Sequence, residues 1–266
     1  MDVENLIIRL DASEAIGMGH LMRCLPLAKK IRNDQYNPII VLKKLSNKYI
    51  KFLNESKIQF IKIDNKISFT KEAEIVKNIC EKYNSKTIIL DVNNRISFEG
   101  FEDYCKYVRQ LRSDSLKIFS LEELVSNPPN SNYVIIPYVN AHKLNIDRKP
   151  DSTYLLGPDY YILRDEFNIT KKKKIEKKVK RIIITMGGAN PHGFSEKVLD
   201  AIKLINEPFK IVVIVTSATK FDYSYVNKLK NEYAGIIDVL IDCNNMAQQM
   251  ALADLAIINS GLTKYE

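Results

Sequence analysis

The chain has 266 residues, 45% of them hydrophobic, which is enough to bury one large core or two small ones and excludes a disordered protein. Lysine and arginine number 40 against 32 aspartate and glutamate, and the net charge of +8 suits a polyanionic small substrate or nucleic acid. A nucleic-acid groove also needs aromatic residues among the basic ones, and the basic run at 171–181 has none. We therefore expect no nucleic-acid partner.

The cysteines and the apolar runs exclude further classes. Cys24, Cys80, Cys105 and Cys243 form no C-x-x-C pair of the kind that a structural zinc site or a redox motif needs. No run of eighteen apolar residues exists, and the amino terminus does not look like a signal peptide. We expect a cytoplasmic protein without a membrane span.

The first half of the chain alternates apolar runs with segments of helical period, which is typical of a parallel sheet with crossover helices. Six strands are predicted, at residues 6–10, 38–42, 58–63, 87–91, 117–119 and 133–136. A first helix is predicted from the spacing of Leu21, Leu25, Ala28 and Ile31, and two more at 72–83 and 98–111.

The second half repeats the alternation. Strands are predicted at 181–186, 211–215, 236–241 and 255–258, and helices at 225–233, at 246–252 and around Val198, Leu199, Ile202 and Ile205. Gly157-Pro158 and the lysine run that follows indicate a linker. The pattern predicts two Rossmann-like α/β domains, residues 1–156 and 157–266.

The most informative motif is Gly17-Met18-Gly19-His20, which joins the first strand to the first helix. Glycines let the backbone approach a ligand closely, and the N–H groups of a helix start favour an anion. The motif is neither the dinucleotide fingerprint nor a P-loop. His20 at the carboxyl end of a strand suits a general base. An isolated histidine is more often a cap or a core residue, but the neighbours Gly19 and Arg23 favour catalysis.

Two further turns suit a diphosphate. Thr185-Met186-Gly187-Gly188-Ala189-Asn190 leads from a strand into a helix, although a Gly-Gly turn is as often a plain strand ending. A second segment, Asn259-Ser260-Gly261-Leu262-Thr263, follows another strand and adds hydroxyl and amide donors. Glu266 either accepts ribose hydroxyls or is simply an acid in the first turn of a helix.

These motifs resemble a known family. IRLDASEAIGMGHLMRC (8–24), YYILRDEF (160–167), ITMGGAN (184–190) and DCNNMAQQMALADLAIINSGLTKYE (242–266) together are similar to the PseG/SpsG family of UDP-sugar hydrolases. The resemblance covers nearly the whole chain. It implies the GT-B fold of MurG-type glycosyltransferases, with two Rossmann-like domains facing each other across a cleft. Because the chain stops inside an expected helix, the second domain is expected to be truncated.

The resemblance also implies an activity and a site. It implies a metal-independent hydrolase that releases UDP from a UDP-activated 2,4-diacetamido-2,4,6-trideoxyhexose in pseudaminic acid biosynthesis. Because UDP is a good leaving group, water activated on one face of the anomeric carbon predicts inversion. We expect no cofactor and a monomer. His20 would be the general base, presented by Gly17 and Gly19. The implied substrate-binding residues are Arg9, Asp11, Arg23, Gly187, Gly188, Asn190, Met246 by its backbone, Asn259, Ser260, Gly261, Thr263 and Glu266.

The residues leave two other functions open. A glycosyltransferase would share the fold and the UDP contacts, with a sugar hydroxyl in place of water. A noncatalytic nucleotide-sugar-binding module is the other alternative, although the presence of His20 argues against it. The segment Val92-Asn93-Asn94 stands where family hydrolases carry a His-Tyr pair near the sugar, so we expect a different sugar specificity.

Overall fold

The computed structural model describes residues 3–92, 96–122, 125–168, 177–187, 193–202, 204–205, 208–216, 223–232, 235–259 and 262–266. The chain divides into two compact units, Met1–Ile162 and Leu163–Glu266, each built on its own parallel sheet. The domain boundary predicted after residue 156 coincides with the end of the last strand of the first unit.

The first unit is a seven-stranded sheet in the order β3-β2-β1-β4-β5-β6-β7, with every neighbouring pair parallel. Its strands are β1 (Asn5–Ala12), β2 (Asn37–Leu45), β3 (Gln59–Lys62), β4 (Thr87–Asp91), β5 (Lys117–Leu121), β6 (Tyr133–Ile136) and β7 (Thr153–Leu156). Its helices are α1 (Gly19–Asn33), α2 (Ile50–Ser56), α3 (Phe69–Lys82) and α4 (Phe101–Leu111).

Helices cover both faces of this sheet, which is why its central strands read as continuous apolar runs. Alternate residues of a strand point to opposite faces, and Ile7 and Ile8 of β1 accordingly belong to different core clusters. The cluster around Ile7 includes α3 and α4, and the cluster around Ile8 includes α1 and α2. Burial on both faces fixes β1 at the centre of the unit.

The second unit is a four-stranded parallel sheet in the order β10-β9-β8-β11. Its strands are β8 (Arg181–Thr185), β9 (Lys210–Val215), β10 (Ile237–Ile241) and β11 (Leu255–Ile258). Its helices are α5 (Asp165–Asn168), α6 (Phe194–Ile202), α7 (Tyr223–Glu232) and α8 (Met246–Leu252). Two core clusters again lie on the two faces of the sheet.

The predicted α/β fold class is confirmed, and each predicted strand is present. The strand β7 and the helices α2 and α5 were not predicted, because they span only 4, 7 and 4 residues and are too short to show a clear period. Ile205 lies outside α6. The helix expected at the end of the chain is a 3-10 turn at Leu262–Tyr265. No helix in the described residues combines the length and apolarity needed to cross a membrane.

Each sheet has a point where the direction of winding reverses. In the first unit the chain runs from β1 outward to β2 and β3 and then returns to β4 on the other side of β1. In the second unit it runs from β8 to β9 and β10 and returns to β11 on the other side of β8. Open α/β sheets bind ligands at the carboxyl ends of the two strands that flank such a reversal.

Candidate functional site

His20 lies just beyond the carboxyl end of β1, in the first turn of α1. A tight turn carries the chain there: the Gly17 N–H donates to the Ser13 carbonyl at 2.7 Å, and Gly17 has a φ of +82°. Residues with a Cβ are strained at such a φ, so glycine suits the position. The turn and the helix start thus hold His20 at the reversal between β1 and β4.

Asp91 ends β4 and meets His20 at the same edge of the sheet. It pairs in register with Leu10 of β1, and its side chain is fully buried. Its Oδ1 lies 2.7 Å from His20 Nδ1. Arg23 Nη2 also lies 3.0 Å from Nδ1, but this guanidinium already donates to Asp91. We therefore assign the imidazole hydrogen to the shorter contact, from Nδ1 to the Asp91 carboxylate, which leaves the lone pair on Nε2. The His20 side chain is 14% exposed.

Two more side chains of α1 bind Asp91. Arg23 Nε donates to Asp91 Oδ2 at 2.6 Å and Arg23 Nη2 donates to Oδ1, while Cys24 Sγ donates to Oδ2 at 3.1 Å. Burial alone would raise the pKa of Asp91, but Arg23 and then His20 outweigh it and hold this pKa well below its usual range. Asp91 is therefore an ionised, fully paired carboxylate.

Arg9 and Asp11 were expected near the substrate, and the structure places both in the interior with no exposed surface. Arg9 Nη1 donates to Asp11 Oδ1 at 2.7 Å, and Arg9 Nε donates to Glu72 at 2.9 Å. Lys43 completes the network with a 2.9 Å ion pair to Glu72. The two positive and two negative charges of this network pair with each other inside the unit. Arg9 and Asp11 therefore offer no surface to a ligand.

The turns of the second unit also meet at a reversal. Thr185, at the end of β8, pairs in register with Ile258 of β11, and the Asn259 N–H donates to the Thr185 carbonyl at 3.4 Å. Gly187 follows with a φ of +75° and an exposed backbone. The two predicted diphosphate turns therefore start side by side. Gly188, Asn190, Ser260 and Gly261 lie outside the described residues, so their roles stay predictions.

Glu266 was expected to accept ribose hydroxyls or to be an acid in a first helical turn, and the structure places it in an ion pair. Arg164 Nε and Nη2 donate to its two carboxylate oxygens at 2.7 and 2.8 Å. Thr263 lies in the 3-10 turn just before it. Met246 begins α8, where the Ala247 N–H donates to Glu166 Oε2 at 3.2 Å. Arg164 also pairs with Glu166 at 2.8 Å, so these residues join α8 to the end of the described chain.

Asp91 was predicted at the end of a strand, but its pairing with His20 was not predicted. The available signal was a carboxylate ending an otherwise apolar strand, Thr87–Asp91. As for metals, the part of the chain that the structure describes contains no group of three or more His, Cys, Asp or Glu side chains arranged to hold an ion.

Comparison with known sequences gives one informative relative and no matching family model. The chain is 31% identical, over a 275-residue alignment, to the uncharacterized protein MJ1062 of Methanocaldococcus jannaschii. The alignment covers 98% of the chain and 53% of that protein, so the chain spans about half the length of this relative.

Comparison with solved structures identifies the fold. MurG of Acinetobacter baumannii matches with a TM-score of 0.60 at 12% identity, over 98% of this chain and 73% of that one. A glycosyltransferase of Rickettsia africae matches with a TM-score of 0.59 at 15% identity, over 96% and 73%. S. aureus MnaA, in a co-structure with UDP, matches with a TM-score of 0.55 at 13% identity, over 97% and 74%. At these identities the likeness establishes the fold, and the chain has the α/β fold of the GT-B glycosyltransferases.

Proposed function

We propose that the protein is an enzyme that acts on a UDP-activated sugar and releases UDP by hydrolysis. The observation that carries the proposal is the His20–Asp91 pair at the reversal between β1 and β4. A buried, ionised carboxylate that accepts from Nδ1 fixes the imidazole tautomer, so Nε2 is the nitrogen that would take a proton from a nucleophile.

In the proposed reaction His20 Nε2 removes a proton from water, and the water oxygen attacks the anomeric carbon of the sugar. The bond from that carbon to the β-phosphate oxygen breaks, and its electron pair leaves with UDP. The free sugar is formed with inversion, and the imidazolium returns its proton to solvent. UDP is a good leaving group, so no strong acid is needed opposite the base.

We assign nucleotide binding to the second unit. Support comes from the exposed turn at Gly187, from its position beside the end of β11, and from the UDP bound by the similar S. aureus MnaA structure. In this proposal Gly187, Gly188 and Asn190 approach the diphosphate, and the backbone at Met246 lines the uracil. Asn259, Ser260, Gly261 and Thr263 would contact phosphate and ribose, and Glu266 would reach the ribose from its ion pair with Arg164.

A glycosyltransferase is the second candidate. It is favoured by two of the similar structures, the R. africae glycosyltransferase and A. baumannii MurG. The same imidazole would then take its proton from a hydroxyl of an acceptor sugar or lipid. The two reactions differ in the nucleophile, and the described residues suit both.

The test is UDP release from a UDP-activated 2,4-diacetamido-2,4,6-trideoxyhexose, measured in EDTA without an acceptor. His20→Ala should lower the rate by about 100-fold to 10,000-fold, because the step loses its base. His142→Ala is the matched control, since His142 is exposed in the 3-10 turn Ala141–Lys143 and should leave the rate unchanged.

Three outcomes separate the candidates. UDP release from the sugar nucleotide alone, lost in His20→Ala and kept in His142→Ala, supports hydrolysis. Release that requires an added acceptor sugar or lipid supports the transferase and rejects the hydrolase. UDP binding without turnover in either assay rejects both and leaves a nucleotide-sugar-binding module.

A further inference from the structure

Three charged side chains join distant parts of the second unit. Arg164 precedes α5, Glu166 lies within α5, and Glu266 lies beyond β11. Arg164 donates from Nε and Nη2 to the two oxygens of Glu266, at 2.7 and 2.8 Å, although the residues are 102 positions apart. Arg164 Nη1 pairs with Glu166 Oε1 at 2.8 Å. We call these three residues the Arg164 cluster.

The Arg164 cluster is tied to the carboxyl edge of the second sheet. Glu266 belongs to the segment that follows β11, and Glu166 accepts from the Ala247 N–H in the first turn of α8, which follows β10. Segments that follow parallel strands begin at the carboxyl edge of the sheet. The reversal between β8 and β11, where an open α/β sheet binds ligands, is at the same edge.

The guanidinium of Arg164 has a fixed orientation. It contacts Glu166 on one side, and its Cζ lies 4.8 Å from the centre of the Phe167 ring. The side chains of Arg164 and Glu266 are only 18% and 9% exposed. A guanidinium that is both paired and stacked has little freedom, and a two-pronged contact transmits that order to the carboxylate it binds. Arg164 therefore fixes the direction of the Glu266 oxygens.

The ion pair leaves Glu266 with acceptor capacity. An ionised carboxylate has about four lone-pair sites, and Arg164 donates one hydrogen bond to each oxygen. Two adjacent acceptor oxygens match two neighbouring hydroxyl groups, whereas a phosphate would be repelled by the carboxylate. This chemistry favours the vicinal diol of a ribose at Glu266 and leaves the diphosphate to the turn at Gly187.

We infer that Arg164 is a positioning residue for nucleotide binding: it holds the Glu266 carboxylate towards the two ribose hydroxyls and so selects a ribonucleotide over a deoxyribonucleotide. A prearranged acceptor binds a hydroxyl without first losing its own conformational freedom. A ligand that lacks one of the hydroxyls leaves an oxygen of Glu266 without its donor. The inference rests on the proposed function, because it takes UDP to be the nucleotide bound by the second unit.

The test compares the binding of UDP and 2′-deoxy-UDP by calorimetry. The wild-type protein should bind UDP at least about tenfold more tightly, since a site that accepts from a hydroxyl rejects the analogue without it. Arg164→Met keeps the length of the side chain but frees the carboxylate, so UDP affinity should fall while that of 2′-deoxy-UDP changes little. The ratio of the two affinities should then approach one, as it should in Glu266→Ala.

The control is Lys210→Met, which breaks an exposed ion pair with Asp238 in the same unit and should leave the ratio unchanged. Thermal unfolding checks that each variant is folded. Should Arg164→Met not fold, Arg164→Lys replaces it, because lysine keeps the charge without the two-pronged contact and should also lower the ratio.

The outcomes separate this inference from the proposed function. Selectivity that is lost in both Arg164→Met and Glu266→Ala supports the positioning role. Selectivity lost only in Glu266→Ala refutes the role of Arg164 and keeps Glu266 at the ribose. UDP binding without any selectivity in the wild-type protein, or with selectivity that survives in Glu266→Ala, refutes the inference and leaves the proposed function standing. If UDP does not bind at all, both are refuted.

Discussion

The side chain of Asp91 accepts hydrogen bonds from His20, Arg23 and Cys24 while fully excluded from solvent. A buried carboxylate is costly unless it is paired, so this cluster is stable as a unit and each member depends on the others. The consequence for the imidazole is a fixed tautomer and a fixed orientation. In the proposed reaction Asp91 would therefore act through His20.

The first prediction concerns Asp91→Asn. Arg23 can only donate, so it should bind the oxygen of the new amide. The amide NH₂ would then donate to His20 Nδ1, which must carry the lone pair, and the imidazole hydrogen would move to Nε2. The base is then lost, and kcat should fall by about 100-fold to 10,000-fold with UDP affinity unchanged. Steady-state kinetics and calorimetry measure the two quantities.

Asp34→Asn is the control for this change, because Asp34 is an exposed partner of Lys30 and should leave kcat as it is. Circular dichroism must show that Asp91→Asn is folded. A folded variant with wild-type kcat would contradict the positioning role of Asp91.

The proximity of His20 and Arg23 was predictable, because these residues are neighbours in the chain. His20 and Arg23 lie one helical turn apart, and the spacing alone brings them together. Asp91 joins them only through the register of β4 beside β1, which the sequence does not specify. Arg9 and Asp11 were assigned to the substrate through the family resemblance, and their partners Glu72 and Lys43 are distant in sequence, so the buried network was not predictable.

At the scale of elements, the long apolar strands were predictable because both faces of each sheet are covered. The short β7 and α2 were not, since their burial comes from tertiary packing and not from a periodic pattern. Glycine turns were the most useful local signal. Gly17 and Gly187, both placed in predicted ligand turns, adopt a positive φ at the carboxyl ends of β1 and β8.

The second prediction compares Gly187→Ala with Gly235→Ala. Both glycines have a positive φ, +75° and +79°, and in neither case would a new Cβ meet a neighbour within 4 Å. Each change should cost about 1–2 kcal/mol of stability through backbone strain. Gly235 precedes β10, at the opposite edge of the sheet, so UDP affinity should fall in Gly187→Ala alone.

Thermal unfolding measures the stability loss and titration with UDP measures the affinity. Equal losses of UDP affinity in the two variants would mean that strain acts on the whole unit, and they would remove the case for a nucleotide-binding turn at Gly187.

At the scale of the whole molecule, stability should depend on pH through buried carboxylates of the first unit. Burial raises the pKa of Asp11, but Arg9 outweighs it and the net pKa lies below the ordinary value of 3.8. The pKa of Asp91 is lowered likewise, chiefly by Arg23 against the effect of burial. Both carboxylates are ionised in the folded protein under conditions where the unfolded chain would bind protons.

The third prediction follows from this linkage. A carboxylate with a lowered pKa contributes stability that is complete above its unfolded value and is lost as the pH falls through its folded value. The urea midpoint should therefore be nearly constant from pH 7 to about pH 5 and should fall steeply below about pH 4. Asp11→Asn should be less stable at pH 7 but should show a shallower fall. An unchanged slope in that variant would contradict the assignment.

Cys24 has a practical consequence for labelling the protein. Burial and the nearby Asp91 raise the pKa of its thiol well above the ordinary value, so the sulfur stays protonated and is a poor nucleophile. Maleimide or iodoacetamide dyes should react with half-buried Cys105 on α4, and with half-buried Cys243 of the second unit, before they reach Cys24. A fluorophore can thus be attached to the first unit without disturbing the carboxylate that holds His20.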